Sequence, residues 1–251
     1  MEKSLNFQSQ GVAGKSVLVT GGTTGIGRAI AILLASQGAD VIIVGLDEQH
    51  LNEALGDINK TAQGSVYGVL ADLASEEGVK TVFDKVDEAF KKLDILVNNA
   101  ALPYGSVTEG EYSDWKRIVE TNLLAYMACT ANAVKLMEPN GGGHIVNIGS
   151  MSADVREESS SAYVATKSGI QGFSASLRKQ INPSGIKISL IEPGAVDTDM
   201  QAESTEDKKE NVENLEMLTA DDIAAAVLFC LSQPKRCDVV ELKIRPHLQL
   251  I

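Results

Sequence analysis

The stretch that decides the fold is Ser16-Val17-Leu18-Val19-Thr20-Gly21-Gly22-Thr23-Thr24-Gly25-Ile26-Gly27. Its first five residues form a short apolar run, which is typical of a strand buried on both faces. The run leads into a glycine-rich loop, and apolar residues with helical spacing then continue to Gly38. Strand, glycine loop and helix in this order bring backbone N–H groups and the positive end of a helix against a phosphate. Glycine-rich turns also make plain connections, but this context favours phosphate binding.

The alternation of strand and helix continues along the chain. Further apolar runs typical of strands lie at 41–44, 65–70, 95–97, 144–148, 186–191 and 238–244. Helical patterns between them predict an α/β fold, a Rossmann-type, doubly wound and mostly parallel sheet of about seven strands flanked by helices. We expect residues 1–13 to form a leader and residues 14–251 to form a single dinucleotide-binding and catalytic domain.

Composition narrows the function classes. The 251 residues are 44% hydrophobic and 22% charged, which is typical of a globular protein. The net charge of −12 argues against a nucleic-acid partner, and no apolar run has the roughly 18 residues of a membrane helix. The cysteines and histidines are too scattered to predict a disulfide framework or a metal site. With no signal-peptide pattern at the N-terminus, we expect a cytoplasmic protein.

A second motif supplies groups for acid–base chemistry. Tyr163 and Lys167 are four residues apart in a predicted helix, so they share one face. A free phenol has a pKa of about 10, and a cation within ~4–6 Å lowers such a pKa by roughly 1–3 units. The pair therefore suits proton transfer to or from a substrate oxygen. The alternative is that Tyr-x-x-x-Lys is only the edge of an amphipathic helix.

The two motifs together resemble those of the short-chain dehydrogenase/reductase family. Gly21, Gly25 and Gly27 have the spacing Gly-x-x-x-Gly-x-Gly, and Thr20 precedes them. With the downstream Tyr-x-x-x-Lys, the chain is similar to the single-domain branch of that family from about residue 14 to its C-terminus. The resemblance implies an enzyme that transfers a hydride between a nicotinamide cofactor and a small secondary alcohol or ketone.

The resemblance also implies catalytic roles. Tyr163 would exchange the proton with the substrate, and Lys167 would lower the pKa of the phenol and hold the ribose hydroxyls. Ser150, thirteen residues before the tyrosine, would bond to the substrate oxygen, with Ser152 as a neighbour and substitute. Asn122, in a long helix predicted over 114–137, would hold a water of the proton relay.

A larger set of residues is implied to contact the dinucleotide. An asparagine after the fourth strand suits tying loops together, because it both donates and accepts hydrogen bonds. Asp72 is implied to lie at the adenine ring, with a helix N-terminal cap as the alternative. The full set is Gly21, Thr23, Thr24, Gly25, Ile26, Gly27, Asp47, Asp72, Leu73, Asn99, Ala100, Tyr163, Lys167, Pro193, Gly194, Val196 and Thr198.

The choice between NAD and NADP depends on the end of the second strand. A site for the 2′-phosphate of NADP normally offers arginine or lysine, and the positions for it here are Thr24 and Leu46. Asp47 lies close by, and its charge would repel a phosphate. The alternative is that Asp47 only begins the next helix, where acids are favoured. We expect NAD rather than NADP.

Several departures and surface features bear on the substrate. Ala101 stands where the family usually has glycine, and Arg245-Pro246-His247 replaces a glycine pair, which resembles a sub-branch acting on small hydroxy acids and related alcohols. Arg156 either clamps a substrate carboxylate or pairs with neighbouring acids on the surface. The charged stretch 201–216 is expected to form a solvated lid.

The helix that begins near Tyr163 predicts an oligomer. Small residues along it, Ala165, Gly169, Gly172 and Ser176, would let another helix approach closely. The resemblance implies a homodimer or homotetramer. Two other functions are open: a catalytically silent dinucleotide sensor with the same fold, and an epimerase or dehydratase of the family's extended branch. The length and the glycine spacing argue against the second of these.

Overall fold

One parallel sheet organises the chain. The computed structural model describes residues 10–201 and 204–249. All of its strand pairs are parallel, in the spatial order β3-β2-β1-β4-β5-β6-β7. The predicted doubly wound α/β fold is confirmed. The strands are β1 Ser16–Thr20, β2 Asp40–Gly45, β3 Val66–Leu70, β4 Ile95–Asn98, β5 Gly143–Ile148, β6 Ile186–Pro193 and β7 Glu241–Ile244.

Helices cover both faces of this sheet. They are α1 Gly25–Ser36, α2 Glu48–Asn59, α3 Glu76–Phe90, α4 Tyr112–Val119, α5 Ala125–Met137, α6 Ser152–Val155, α7 Ser161–Ile181, α8 Thr205–Glu213 and α9 Ala220–Leu231. Val17 and Val19 of β1 pack into the layer formed by α1, α2 and α9, whereas Leu18 packs towards α3 and α5. Because the strands of the interior are covered on both sides, they read as continuous apolar runs.

The predicted helix over 114–137 differs in one respect. Between α4 and α5 the chain forms a π-helical segment, Glu120–Leu124. Such one-turn insertions are rare and occur frequently at functional sites. The inserted turn lies beside α7, with Leu123 packed against Gly169.

Helix α9 is capped at its N-terminus, and the segment before β1 is bonded to the residue that follows its C-terminus. Thr219 and Asp222 form the reciprocal cap of α9, with the backbone N–H of Thr219 donating to the Asp222 carboxylate at 2.8 Å. Of the predicted leader, residues 1–9 lie outside the described residues. Val12 is buried in the core, and the backbone N–H of Gln10 donates to the Ser232 carbonyl at 2.9 Å.

Asp94 ties the start of β1 to the start of β4. Its carboxylate accepts from the Ser16 backbone N–H at 3.0 Å, the Ser16 hydroxyl at 2.9 Å and the Lys15 ammonium at 3.0 Å. Burial acts to raise the pKa of this carboxyl, but the hydrogen bonds from Ser16, Lys15 and Lys92 outweigh it and lower the pKa to about 2. The anchor therefore requires the ionised carboxylate.

We expect Asp94→Asn to lower the free energy of unfolding by about 2 kcal/mol at neutral pH. Because the pKa of Asp94 is lower in the folded chain than in the unfolded chain, this stabilisation is present above ~4 and is lost as the pH falls towards ~2. Denaturant titrations of wild type and variant across that range measure the difference. Asp87→Asn, on the exposed side of α3, is the control. A difference that stays constant down to pH ~2 contradicts the prediction.

Candidate functional site

A cavity of about 410 Å³ opens at the carboxyl ends of β4, β5 and β6. This is the edge at which doubly wound sheets bind their ligands. The cavity is lined by Ser150, Tyr163 and Lys167, which lie 13 and 4 residues apart in the chain. The structure thus brings together three of the four predicted catalytic residues in one cavity.

Lys167 is buried at the base of the cavity. Only 2% of it is exposed, and its ammonium donates to the Ile148 carbonyl at 3.1 Å. The ammonium lies 5.6 Å from the centre of the Tyr163 ring, as expected for residues one helical turn apart. Burial lowers the pKa of Lys167 to about 8, and the nearby charge of Glu192 acts in the opposite direction.

The Tyr163 phenol has a raised pKa. Burial is the largest cause, the hydrogen bond with Ser150 opposes it, and the charge of Glu157 raises the pKa further. The net shift is therefore opposite in direction to the lowering that the sequence predicted from Lys167, and that lysine is not among its causes. The physical reason is desolvation: transfer of the phenolate out of water costs more than the hydrogen bond recovers.

Ser150 lies two residues after the end of β5, and its interaction with the Tyr163 phenol acts to lower the pKa of that phenol. The Ser150 oxygen also accepts from the backbone N–H of Ser152 at 3.2 Å. The Ser152 hydroxyl instead donates to the carboxylate of Glu157 at 3.1 Å. Of the two serines, Ser150 is therefore the one that faces the phenol.

Asn122 lies in the π-helical segment and is fully buried. Its carboxamide oxygen accepts from the Leu102 N–H at 2.7 Å, and its nitrogen donates to the Leu102 carbonyl at 2.9 Å. The nitrogen also lies 3.4 Å from the hydroxyl of Thr166, the residue before Lys167. Asn122 thus holds the loop after β4 against α7.

The glycine loop forms a cradle that side chains would fill. Gly21 and Gly25 have φ values of +61° and +48°, which favour glycine. A Cβ on Gly27 would overlap the carbonyl oxygen of Gly21. The Asn99 side chain donates to the carbonyls of Thr20 and Gly21 at 3.1 and 3.0 Å, which fixes the loop across the strand ends. This close-packed backbone before α1 fits the pyrophosphate of a dinucleotide.

The other predicted cofactor residues fall into two groups. Ile26, Asn99, Pro193, Gly194, Val196 and Thr198 line the cavity. The remaining ones lie towards β2 and β3. There, Thr23 packs against Gly45, and Leu73 is in the core. Ala100 lies instead after β4, where its N–H donates to the Thr20 hydroxyl at the end of β1 at 3.1 Å.

Asp47 and Asp72 both have structural partners. The Asp47 carboxylate caps α2 by accepting from the His50 N–H at 2.8 Å, and it is more than half exposed. Asp72 accepts from the Ala74 N–H at 3.0 Å and pairs with Arg117 of α4 at 2.6 Å. The capping role that the sequence offered as the alternative for Asp47 is present in the structure.

Arg156 is turned away from the cavity. It has a left-handed backbone with φ +58°, and its guanidinium donates to the Ala153 carbonyl at 3.4 Å. The cavity is lined instead by the next residue, Glu157. Of the two alternatives for Arg156, the structure favours the surface role, because Glu157 rather than Arg156 lines the cavity and the charge of Arg156 lowers the pKa of its neighbour Asp154.

Sequence reasoning missed the C-terminal tail. Gln249 lines the cavity, and its side-chain oxygen accepts from the Ala195 N–H at 3.1 Å. Arg245 holds this tail by donating to the Gln249 carbonyl at 2.7 Å. A Cβ on Gly194 would overlap the Gln249 side chain, so the glycine after Pro193 makes room for the tail. No local pattern in the sequence signals this return.

The charged segment predicted to form a lid, residues 201–216, is attached to the loop after β6 through Lys208. Lys208 of α8 is buried, and its ammonium donates to the Thr198 carbonyl at 3.0 Å and lies 3.4 Å from the Asp197 carboxylate. Residues 202–203, which precede this helix, lie outside the described residues. Lys208 thus fastens the charged segment to the loop after β6.

Membrane-spanning helices and metal-binding clusters are both absent from the described residues. None of the helices there combines the length and the apolar character that crossing a membrane requires. In the same residues, no three histidine, cysteine, aspartate or glutamate side chains are grouped so that they would hold a metal ion.

Comparison with known proteins gives consistent matches over most of the chain. Residues 15–209 match the family described as short chain dehydrogenase. An uncharacterized oxidoreductase of Staphylococcus aureus is 34% identical over 235 residues, covering 92% of this chain and 97% of the relative.

Two solved structures share the whole architecture. A putative short-chain alcohol dehydrogenase from Sinorhizobium meliloti superposes with a TM-score of 0.83 at 29% identity, over 93% of this chain and 95% of its own. The L-sorbose reductase of Gluconobacter frateurii, complexed with NADPH and L-sorbose, gives a TM-score of 0.85 at 25% identity, over 94% and 97% of the two chains.

Proposed function

The chain belongs to the short chain dehydrogenase family of oxidoreductases, and we propose that it transfers a hydride between a nicotinamide dinucleotide and a small secondary alcohol or its ketone. One observation carries the proposal: the Ser150 hydroxyl, the Tyr163 phenol and the Lys167 ammonium meet in a single cavity at the carboxyl ends of the strands. The L-sorbose reductase, whose substrate is a ketone, has the same fold.

The residues have separate roles in this proposal. The Ser150 hydroxyl orients the substrate oxygen beside the phenol, and Tyr163 gives a proton to that oxygen during reduction or takes it during oxidation. The buried ammonium of Lys167 stabilises the phenolate that proton donation leaves behind. Asn122 holds the loop after β4 and, through Thr166, the helix turn that carries Lys167. The nicotinamide, when bound, supplies or accepts the hydride.

The glycine cradle would hold the pyrophosphate of that dinucleotide. Its backbone N–H groups at the start of α1 suit phosphate oxygens. Thr198 lies close to Gly25, since a Cβ on that glycine would be 3.1 Å from the threonine methyl. The loop after β6 and the loop after β1 therefore close on the same space, between the phosphates and the reacting groups.

We expect Tyr163→Phe to fold and to bind the dinucleotide, but to lose roughly a hundredfold or more of kcat/KM, because the proton donor is removed. Turnover is measured by nicotinamide absorbance with a panel of alcohols and ketones, and binding by nicotinamide fluorescence. The matched control is Tyr112→Phe, which removes a phenol hydroxyl at an exposed position outside the cavity and should leave activity largely intact.

Two outcomes contradict this assignment in different ways. Near-native turnover by Tyr163→Phe removes that residue from the mechanism. A wild-type protein that binds the dinucleotide but turns over no member of a broad panel is a sensor, the silent alternative.

NAD is the proposed dinucleotide. The end of β2 and the glycine loop present Thr24, Leu46 and Asp47, and none of these is a cation that would pair with a 2′-phosphate. The Asp47 carboxylate is exposed at this edge, where it caps α2. A carboxylate so placed opposes the extra phosphate of NADP, while it still allows ribose hydroxyls to donate to it.

We expect NAD to give the higher kcat/KM, and Asp47→Asn to reduce the NAD:NADP ratio roughly tenfold. Asparagine keeps the capping bond but removes the charge, so helix stability is held constant. Glu48→Gln, at the exposed first turn of α2, is the control. Preference of the wild type for NADP, or an unchanged ratio in Asp47→Asn, shows that Asp47 serves α2 alone.

A self-association surface is also proposed. Ala165, Gly172 and Ser176 are exposed along α7, and a Cβ on Gly172 would meet nothing within 4 Å. Beside α7, the π-helical segment exposes apolar Leu124 and α5 exposes apolar Met127. By contrast, the larger α7 residues Ile170 and Leu177 pack into the core. Small residues beside exposed apolar ones suit close packing of two copies into a homodimer or homotetramer.

We expect light scattering to give a dimer or tetramer at micromolar concentration, and Leu124→Glu to shift the protein towards monomer, because it places a charge in the apolar contact. Leu70→Glu, at an exposed apolar position at the end of β3, is the matched control. A monomeric wild type, or equal effects of the two substitutions, contradicts the proposed surface.

A further inference from the structure

The accessible charge of the cavity is negative. Among the described residues that line it, the charged side chains are Glu157 and Lys167. Lys167 is almost fully buried, and its ammonium is engaged by the Ile148 carbonyl. Glu157 is exposed. A molecule that enters the cavity therefore meets a carboxylate before it meets a cation.

Short hydrogen-bonded steps connect Glu157 to the reacting groups. Its carboxylate accepts from the Ser152 hydroxyl at 3.1 Å. The backbone N–H of Ser152 donates to the Ser150 oxygen at 3.2 Å, and Ser150 lines the cavity together with the Tyr163 phenol. The charge of Glu157 is close enough to raise the pKa of that phenol. The carboxylate is thus fixed near the point of reaction.

The remaining polar groups of the cavity are neutral. Hydroxyl and carboxamide groups both donate and accept hydrogen bonds, so they complement substrate hydroxyls better than a group that only donates or only accepts. Arg156 would balance the charge, but its guanidinium bonds to the Ala153 carbonyl instead. Apart from Ser150, Tyr163 and the proposed cofactor residues Asn99 and Thr198, the neutral polar lining comprises Tyr104, Ser152, Ser159, Ser160, Gln201 and Gln249.

We propose that Glu157 determines the charge of the substrate, and that the site takes an uncharged polyhydroxy alcohol or ketone and discriminates against analogues bearing a carboxylate or phosphate. One substrate hydroxyl donates to the Glu157 carboxylate while the reacting oxygen lies at Ser150 and Tyr163. This inference rests on the proposed function. It is opposite to the hydroxy-acid preference that the C-terminal Arg245-Pro246-His247 implied.

The expected size of the effect follows from simple electrostatics. A hydroxyl that donates to a carboxylate makes a charge-assisted bond, which is stronger than one between neutral groups. Two like charges ~6 Å apart at an effective dielectric constant of ~20 repel strongly enough to change an equilibrium constant by roughly a hundredfold. Glu157 alone therefore suffices for a large preference between two molecules that differ only in one acid group.

The experiment compares kcat/KM for matched pairs of substrates. Erythritol, xylitol and sorbitol are each paired with the aldonic acid of the same chain length, and ketoses with the corresponding keto acids. The wild type is expected to prefer the neutral member by roughly a hundredfold, and Glu157→Gln to reduce that preference at least tenfold. The control is Glu158→Gln, which removes an adjacent charge that does not line the cavity and should leave the ratio unchanged.

Three other outcomes would contradict, in turn, the role of Glu157, the substrate class and the proposed function. Equal efficiency on the neutral and acidic members, or the same ratio in wild type and Glu157→Gln, overturns the role of Glu157. Turnover of simple alcohols or ketones with none of the polyhydroxy compounds overturns the substrate class. Absence of turnover with every alcohol and ketone overturns the proposed function itself, and binding of the neutral and acidic members to the dinucleotide-loaded protein, measured by calorimetry, then tests Glu157 separately.

Discussion

The hydrogen bond from the Lys167 ammonium to the Ile148 carbonyl is the contact on which the candidate site depends. That carbonyl, at the end of β5, also accepts from the hydroxyl of buried Tyr126 at 3.1 Å. Strand β5, helix α5 and helix α7 therefore converge on one oxygen atom. Because Ser150 follows two residues after this carbonyl and Tyr163 lies one turn before Lys167, the same contact sets the distance between the hydroxyl and the phenol.

Holding a lysine there is costly to the fold. The pKa of Lys167 falls from its ordinary 10.5 to about 8, with burial as the largest cause. Below ~8 both the folded and the unfolded chain bind this proton, so the full cost of burying the charge is present. Between ~8 and ~10.5 the unfolded chain binds more protons, and stability rises with pH. A core residue that weakens the fold at neutral pH is what a trade of stability for function produces.

Local patterns sufficed for the fold and for the shared helix face of Tyr163 and Lys167, and the features that they missed have a common cause. The apolar run before Gly21 and the spacing of Tyr163 and Lys167 are short-range signals, and the structure has a strand and a shared helix face there. The π-helical turn at Asn122 escaped prediction because bonds to Leu102, a residue of a distant loop, accompany it. Hydrophobic periodicity carries no information about such long-range partners.

The direction of the Tyr163 pKa shift and the position of the C-terminal tail were both missed, and for the same reason. Burial of Tyr163 depends on how α7 packs against the loops of the cavity, and spacing along the chain does not report it. Gln249 reaches Ala195 only after the chain has completed β7 and returned over the loop following β6. Both features are products of tertiary packing between distant parts of the chain. Capping of α2 by Asp47, by contrast, is a local interaction that the sequence alone could predict.

Two carboxylates bear on the reacting groups, and both favour protonated forms. The charge of Glu192, which is fully buried, acts to raise the pKa of Lys167, and burial raises the pKa of Glu192 itself. The charge of Glu157 raises the pKa of Tyr163. At neutral pH these influences keep the proton on the phenol and the charge on the ammonium. In the proposed reaction the phenol therefore starts with its proton bound, and the charge of Glu157 opposes removal of that proton.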